Sequence, residues 1–208
     1  MKRLWKCGVL VGMGLVLTAA VPATWAAEEE TEKKPQRRPD VIFVPTPQDV
    51  VEKMLEVAEV TKDDVVYDLG CGDGRIVVTA AKKYGCKAVG IDIDPQRVKE
   101  SLERVKKNKV EHLVTIKEGD IFQEDLTPAS VVTLYLLPSL NVTLIPQLKK
   151  LKPGSRIVSH SFDMEGVKPE KVIHYEAKDG ITHTIYLWRA PIKVEKEEEE
   201  KGEKEKEK

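Results

Sequence analysis

Apolar positions along the middle of the chain recur in two rhythms. Between Pro47 and Val60 they fall at Val50, Val51, Met54, Leu55 and Ala58, the spacing of one helical face, and Thr46-Pro47 ahead of them supplies a cap and a first-turn proline. Val65–Leu69 is a short apolar run bounded by Asp64 and Gly70, the pattern of a buried parallel strand. Ile76–Tyr84 returns to helical spacing and is closed by Gly85. Lys87–Asp92 predicts a second strand, and Pro95–Lys107 a helix capped by Asp94. Val114–Lys117 is a weaker third strand, and Ser130–Leu136 a strongly apolar fourth. Leu140–Leu151 predicts a helix stopped by Pro153-Gly154, with a kink or a later start at Pro146. Arg156–His160 is a fifth strand. Beyond it, Lys171–Glu176 and Ile181–Trp188 are β-rich runs on either side of Ala177-Lys178-Asp179-Gly180, which reads as a hairpin.

Strands that alternate with helices build a parallel sheet covered on both faces. The predicted fold is α/β, a Rossmann-like doubly wound sheet of seven strands, mostly parallel with a C-terminal antiparallel hairpin. It occupies one domain over residues 41–194, long enough to bury a core without staples.

The two ends read differently. Residues 1–27 open with the basic Met1–Lys6, run apolar from Gly8 to Val21 and finish in small residues up to Ala27. That is the layout of a secretory signal peptide, cleaved or kept as a membrane anchor, and it predicts an exported (periplasmic or secreted) or membrane-anchored protein. Residues 28–40 are a charged linker, and residues 195–208 a Glu/Lys tract with no apolar face, which predicts a disordered tail. Lys and Arg total 34 against 35 Asp and Glu, a net charge of −1, so bulk electrostatics indicates no nucleic-acid partner. Cys71 and Cys86 have no zinc-site spacing and read as buried thiols.

The chemistry concentrates where the first strand turns into a helix, at Asp68-Leu69-Gly70-Cys71-Gly72-Asp73-Gly74-Arg75. Ligands of doubly wound sheets bind at the carboxyl ends of the strands, and glycine lets a ligand approach the backbone there. A dinucleotide loop needs G-x-G-x-x-G, but Gly70, Gly72 and Gly74 are spaced G-x-G-x-G and Arg75 stands at the third dinucleotide position. Asp68 and Asp73 would repel a pyrophosphate and attract the sulfonium and α-ammonium of S-adenosyl-L-methionine (SAM). Asp92 ends the second strand and can accept from both ribose hydroxyls. After the third strand, Asp120 is placed to accept from the adenine amine and Ile121 to cover one ring face. The cofactor candidates in and beyond the loop are thus Asp68, Gly70, Cys71, Gly72, Asp73, Gly74, Asp92, Asp120 and Ile121.

Asp68–Arg75 resembles motif I of the class I, seven-strand SAM-dependent methyltransferases. Four segments, Val44–Pro47, Tyr67–Ile76, Val131–Leu137 and Lys152–His160, resemble the archaeal protein-lysine methyltransferases and their mitochondrial relatives. The resemblance spans about Phe43 to Phe162. It implies methyl transfer to lysine side chains of a protein partner, and a Val44–Pro47 segment, Thr46 included, folded over the cofactor. Those families work in the cytoplasm or in mitochondria, whereas this chain carries a signal-like N-terminus. The fourth strand ends in Tyr135-Leu136-Leu137-Pro138, not the Asn-Pro-Pro-Tyr of many amide and base methyltransferases. Tyr135 is the candidate wall of a lysine channel and His160 a weaker candidate. A small-molecule or RNA substrate, or an exported binding domain without turnover, remain the alternatives.

Overall fold

The computed structural model describes residues 38–195. The signal-like segment 1–27, most of the 28–40 linker and the Glu/Lys tract after Glu195 lie outside the described residues.

Eleven elements follow one another: α1 (Gln48–Val57), β1 (Val65–Leu69), α2 (Arg75–Tyr84), β2 (Lys87–Asp92), α3 (Pro95–Asn108), β3 (Val114–Glu118), β4 (Val131–Leu134), α4 (Pro138–Leu148), β5 (Arg156–His160), β6 (Lys171–Glu176) and β7 (Thr182–Arg189). The strands form one seven-stranded sheet in the order β3-β2-β1-β4-β5-β7-β6. The first five are parallel, β7 runs antiparallel to β5, and β6 antiparallel to β7. The second strand of the hairpin, not the first, is the one that joins the sheet.

Alternation along each strand divides the core between the two faces. Val66, Val131 and Val158 pack with Val50, Met54, Val77 and Ala80 of α1 and α2. Tyr67, Leu69, Val132, Leu134 and Ile157 pack with Leu144 and Leu148 of α4 and with Trp188 of β7. Trp188 is buried, and its indole N–H donates to the Val167 carbonyl at 2.8 Å. Cys71 and Cys86 are both free and buried.

Asp94 caps α3 as predicted, accepting from the Gln96 amide at 2.8 Å. Two boundaries differ. Pro47 is the N-cap of α1 with no side-chain hydrogen bond, and the Thr46 hydroxyl bonds His160 instead. β4 ends at Leu134, and α4 starts at Pro138, earlier than its apolar rhythm indicated; Pro138 needs no N–H partner in the first turn, and the helix runs on through Pro146.

At the end of the sheet away from the glycine loop, Asp64 joins several elements. It accepts from the Thr61 amide (2.7 Å), the Ser130 hydroxyl (2.6 Å) and Arg156 (2.7 Å), and Arg156 also donates to the Ala58 carbonyl at 3.0 Å. Burial works to raise the Asp64 pKa, but these donors and the Arg156 charge outweigh it and hold the carboxyl below its usual range. A carboxyl depressed in the fold stabilises above its ordinary value near 3.8 and loses that contribution as the pH falls below it. Asp64→Ala strands the half-buried Arg156 and is expected to destabilise by about 3 kcal/mol in urea unfolding at pH 7, with the difference from wild type shrinking below pH 4.

Candidate active site

The carboxyl ends of β1, β2 and β4 and the loop after β3 open into one cleft, partly open to solvent and covered by residues 39–46. Asp68, Gly70, Cys71, Asp73, Asp92, Asp120, Ile121, Tyr135 and Thr46 all line it.

The loop after β1 is built before any ligand arrives. The Gly70 and Cys71 amides both donate to the Ile91 carbonyl, at 2.9 and 3.0 Å. Gly72 has φ +56; its amide donates to Asp92 Oδ2 at 2.8 Å, and its carbonyl accepts from the Ser101 hydroxyl of α3, also at 2.8 Å. The Phe43 ring lies where a Gly72 side chain would begin. Gly74 has φ +74, and a Cβ there would stand 2.9 Å from Ser101 Oγ. Gly72 and Gly74 each make room for a neighbour: the first for Phe43, and the second for the close approach of α2 to α3. The Cys71 thiol points away from solvent, 3.7 Å from Ser101 Oγ, and burial pushes its pKa well up.

Three carboxyls of the site, Asp68, Asp92 and Asp73, are in three different states. Asp68 is buried, and Thr133 donates to it at 2.6 Å. Burial, joined by the charges of Asp92 and Asp73 and only partly opposed by Thr133, pushes its pKa up to about 7. Asp92 accepts from Gly72 with one oxygen and from the Asp94 amide (2.9 Å) with the other; burial raises its pKa against these bonds. Each of its oxygens keeps a lone pair for a ribose hydroxyl. Asp73 lies between two arginines. Arg75 (2.7 and 2.9 Å) and Arg104 (2.5 Å) already neutralise it and, against the effect of burial, hold its pKa down, so it clamps the loop to α3 and offers little to a cofactor cation.

Asp120 and Ile121 stand at the cleft as predicted, with Asp120 accepting from the Phe122 amide at 3.0 Å. Two arginines hold the covering strap: Arg75 donates to the Thr46 carbonyl at 2.6 Å, and Arg97 lies 4.8 Å from the Phe43 ring centre. Tyr135 is half-buried with its ring 4.0 Å from that of His160. His160 is not alone: its Nδ1 meets Thr46 Oγ1 at 3.1 Å, and its Nε2 meets His183 Nδ1 at 2.8 Å. Burial, with His183 beside it, lowers the His160 pKa to about 4. Sequence reasoning missed Arg97, Arg104 and His183, because their partners lie far away in the chain; Phe43 and Arg75 stood inside the recognised segments without an assigned role.

The family model described as the ANTKMT methyltransferase domain matches residues 68–171. A protein-lysine N-methyltransferase of Saccharolobus islandicus (strain REY15A) is 50% identical over 153 residues, covering 72% of this chain and 94% of that protein. A Homo sapiens lysine N-methyltransferase for a component of ATP synthase is 28% identical over 131 residues, covering 62% of this chain and 55% of that protein. A solved structure described as an RNA methyltransferase from Salinibacter ruber, in complex with S-adenosyl-L-homocysteine, is 47% identical, covers 71% of this chain and 94% of that one, and superposes with a TM-score of 0.67.

The cleft fits SAM on its own chemistry. Among the described residues Asp68 has Thr133 but no cation against its buried carboxyl, which suits an α-ammonium, and Asp92 has acceptor capacity for the ribose. An ammonium seated at Asp68 favours the ionised carboxyl. Below pH 7 the ligand-free protein holds Asp68 mostly protonated, so binding SAM should release a proton. Calorimetry at pH 6 in two buffers of different ionisation enthalpy is expected to show close to one proton released by wild type and none by Asp68→Asn; equal release by both would remove Asp68 from the ammonium site.

Proposed function

The chain belongs to the protein-lysine N-methyltransferase family, and we propose that it transfers the methyl group of SAM to lysine side chains of proteins. The observation that carries the lysine reading is the wall where β4 ends. Tyr135 packs its ring on His160 and stands 6.0 Å from that of Phe162, and Leu136 lies under Gly70. An aromatic and aliphatic wall dehydrates a long methylene side chain and lowers the pKa of the amine at its tip. It presents no side-chain amide of the kind that grips a glutamine or a purine edge. Bound in the cleft, SAM supplies an electrophilic methyl group on a sulfonium. Asp68 would hold its amino group, Asp92 its ribose, and Asp120 with Ile121 its adenine. The protein's part is to align and dehydrate the acceptor.

An RNA substrate is the second reading, favoured by the description of the Salinibacter ruber structure. The net charge of −1 argues against it.

Incubation of the full chain with methyl-labelled SAM and a cell extract is expected to label protein, with methyl-lysine recovered on hydrolysis. Label in RNA or small molecules only would overturn the lysine reading. Asp92→Ala is expected to weaken SAM binding by about 1–3 kcal/mol and abolish the label at low SAM.

Residues 1–27 support a further proposal, that the chain is exported or anchored by that segment. Among the described residues no helix is long and apolar enough to cross a membrane. Fractionation of cells carrying a tagged chain is expected to place it outside the cytosol; a full-length cytosolic product would defeat export.

A further inference from the structure

Four side chains from four places in the chain form a line from the cleft to the surface. Thr46 Oγ1 lies 3.1 Å from His160 Nδ1, His160 Nε2 2.8 Å from His183 Nδ1, and His183 Nε2 3.3 Å from Asp179 Oδ2. Thr46 stands on the strap at the cleft, His160 at the end of β5, His183 on β7 and Asp179 in the exposed β6–β7 turn.

The outer end sets the direction of every bond. An ionised carboxylate only accepts, so His183 carries its proton on Nε2 and presents a lone pair at Nδ1. His160 must then donate from Nε2, which leaves its Nδ1 as an acceptor, and Thr46 must donate its hydroxyl proton to it. The Thr46 oxygen, whose backbone carbonyl Arg75 pins, is left with lone pairs for a donor arriving in the cleft. The line needs a neutral His160, and burial keeps that ring neutral down to about pH 4. Around the two rings, the end of β4 contributes Tyr135, β6 contributes Tyr175 opposite His183, and the turn contributes Asp179.

Resting on the lysine reading above, we propose that Thr46 accepts the proton a substrate lysine must lose, and that His160, His183 and Asp179 orient Thr46 and pass that proton to solvent. The step balances. One ammonium N–H bond breaks and its proton goes to the Thr46 oxygen, while the Thr46 proton moves to His160 Nδ1. The His160 Nε2 proton moves to His183 Nδ1, and the His183 Nε2 proton to Asp179, which gives it to water. The amine keeps the electron pair. Thr46 touches the substrate; His160, His183 and Asp179 act through it as positioning residues.

A structural tie between β5 and β7 would work in either direction, and that separates the two roles. In Asp179→Asn the side-chain carbonyl can keep the bond from the Ile181 amide (2.8 Å in the wild type) while its NH₂ faces His183, which reverses every bond of the line and turns the Thr46 O–H toward the cleft. The expected result is a fall in kcat of about tenfold or more, with KM for the protein substrate, SAM affinity and Tm held at wild-type values. Nitrogen-15 NMR of the imidazoles should show both histidines protonated at Nε2 in the wild type and at Nδ1 in the variant. Thr46→Ser should keep turnover and Thr46→Val lose it. Wild-type kcat in Asp179→Asn, or wild-type rings protonated at Nδ1, would overturn the relay. A wild-type protein that methylates no lysine would instead overturn the substrate reading, with the NMR pattern still measurable.

Discussion

The two hydrogen bonds that Asp92 accepts, from the amides of Gly72 and Asp94, hold the ends of β1 and β2 in one geometry. Gly72 needs that hold. Its left-handed backbone turns its amide toward β2 and its carbonyl toward α3, where Ser101 meets it. The bare face left by its missing side chain is where Phe43 lands, bringing the strap over the cleft. Loop, helix and strap thus converge on one peptide unit, and the carboxylate that fixes it is the one available to a ribose.

Three acidic groups close together in a low-dielectric pocket would repel one another if all were ionised and unpartnered. The fold treats each differently. Asp73 is neutralised by two arginines, Asp92 is held by backbone amides, and Asp68 is left to a single hydroxyl, its proton retained up to about pH 7. The unbalanced position is the one suited to a cationic ligand, and the balanced ones keep the loop in shape when no ligand is present.

Much of this was legible along the chain. Short apolar runs marked the parallel strands because both sheet faces are covered, and the carboxyl ends of those strands brought Asp68, Asp92 and Ile121 to one cleft, as the fold class requires. Asp94 declared itself as a cap because capping is a local contact. What was not legible depends on contacts between distant parts of the chain. The neighbours that Gly72 and Gly74 admit, Phe43 and Ser101, were hidden because spacing shows that a side chain is missing, not what fills its place. Asp73 looked available because Arg104 lies 31 residues further on. Thr46 looked like a helix cap, and the competing partner that draws its hydroxyl away, His160, is 114 residues distant.

The hairpin that closes the sheet runs against the other strands. β7 begins where β5 ends, so the turn that feeds it sits on the same rim as the loops of the parallel strands. A short connection thereby brings Asp179 and His183 to His160 at the end of β5. The closing hairpin hangs a carboxylate, Asp179, at the outer end of the histidine line, from a segment separate in the chain from the glycine loop.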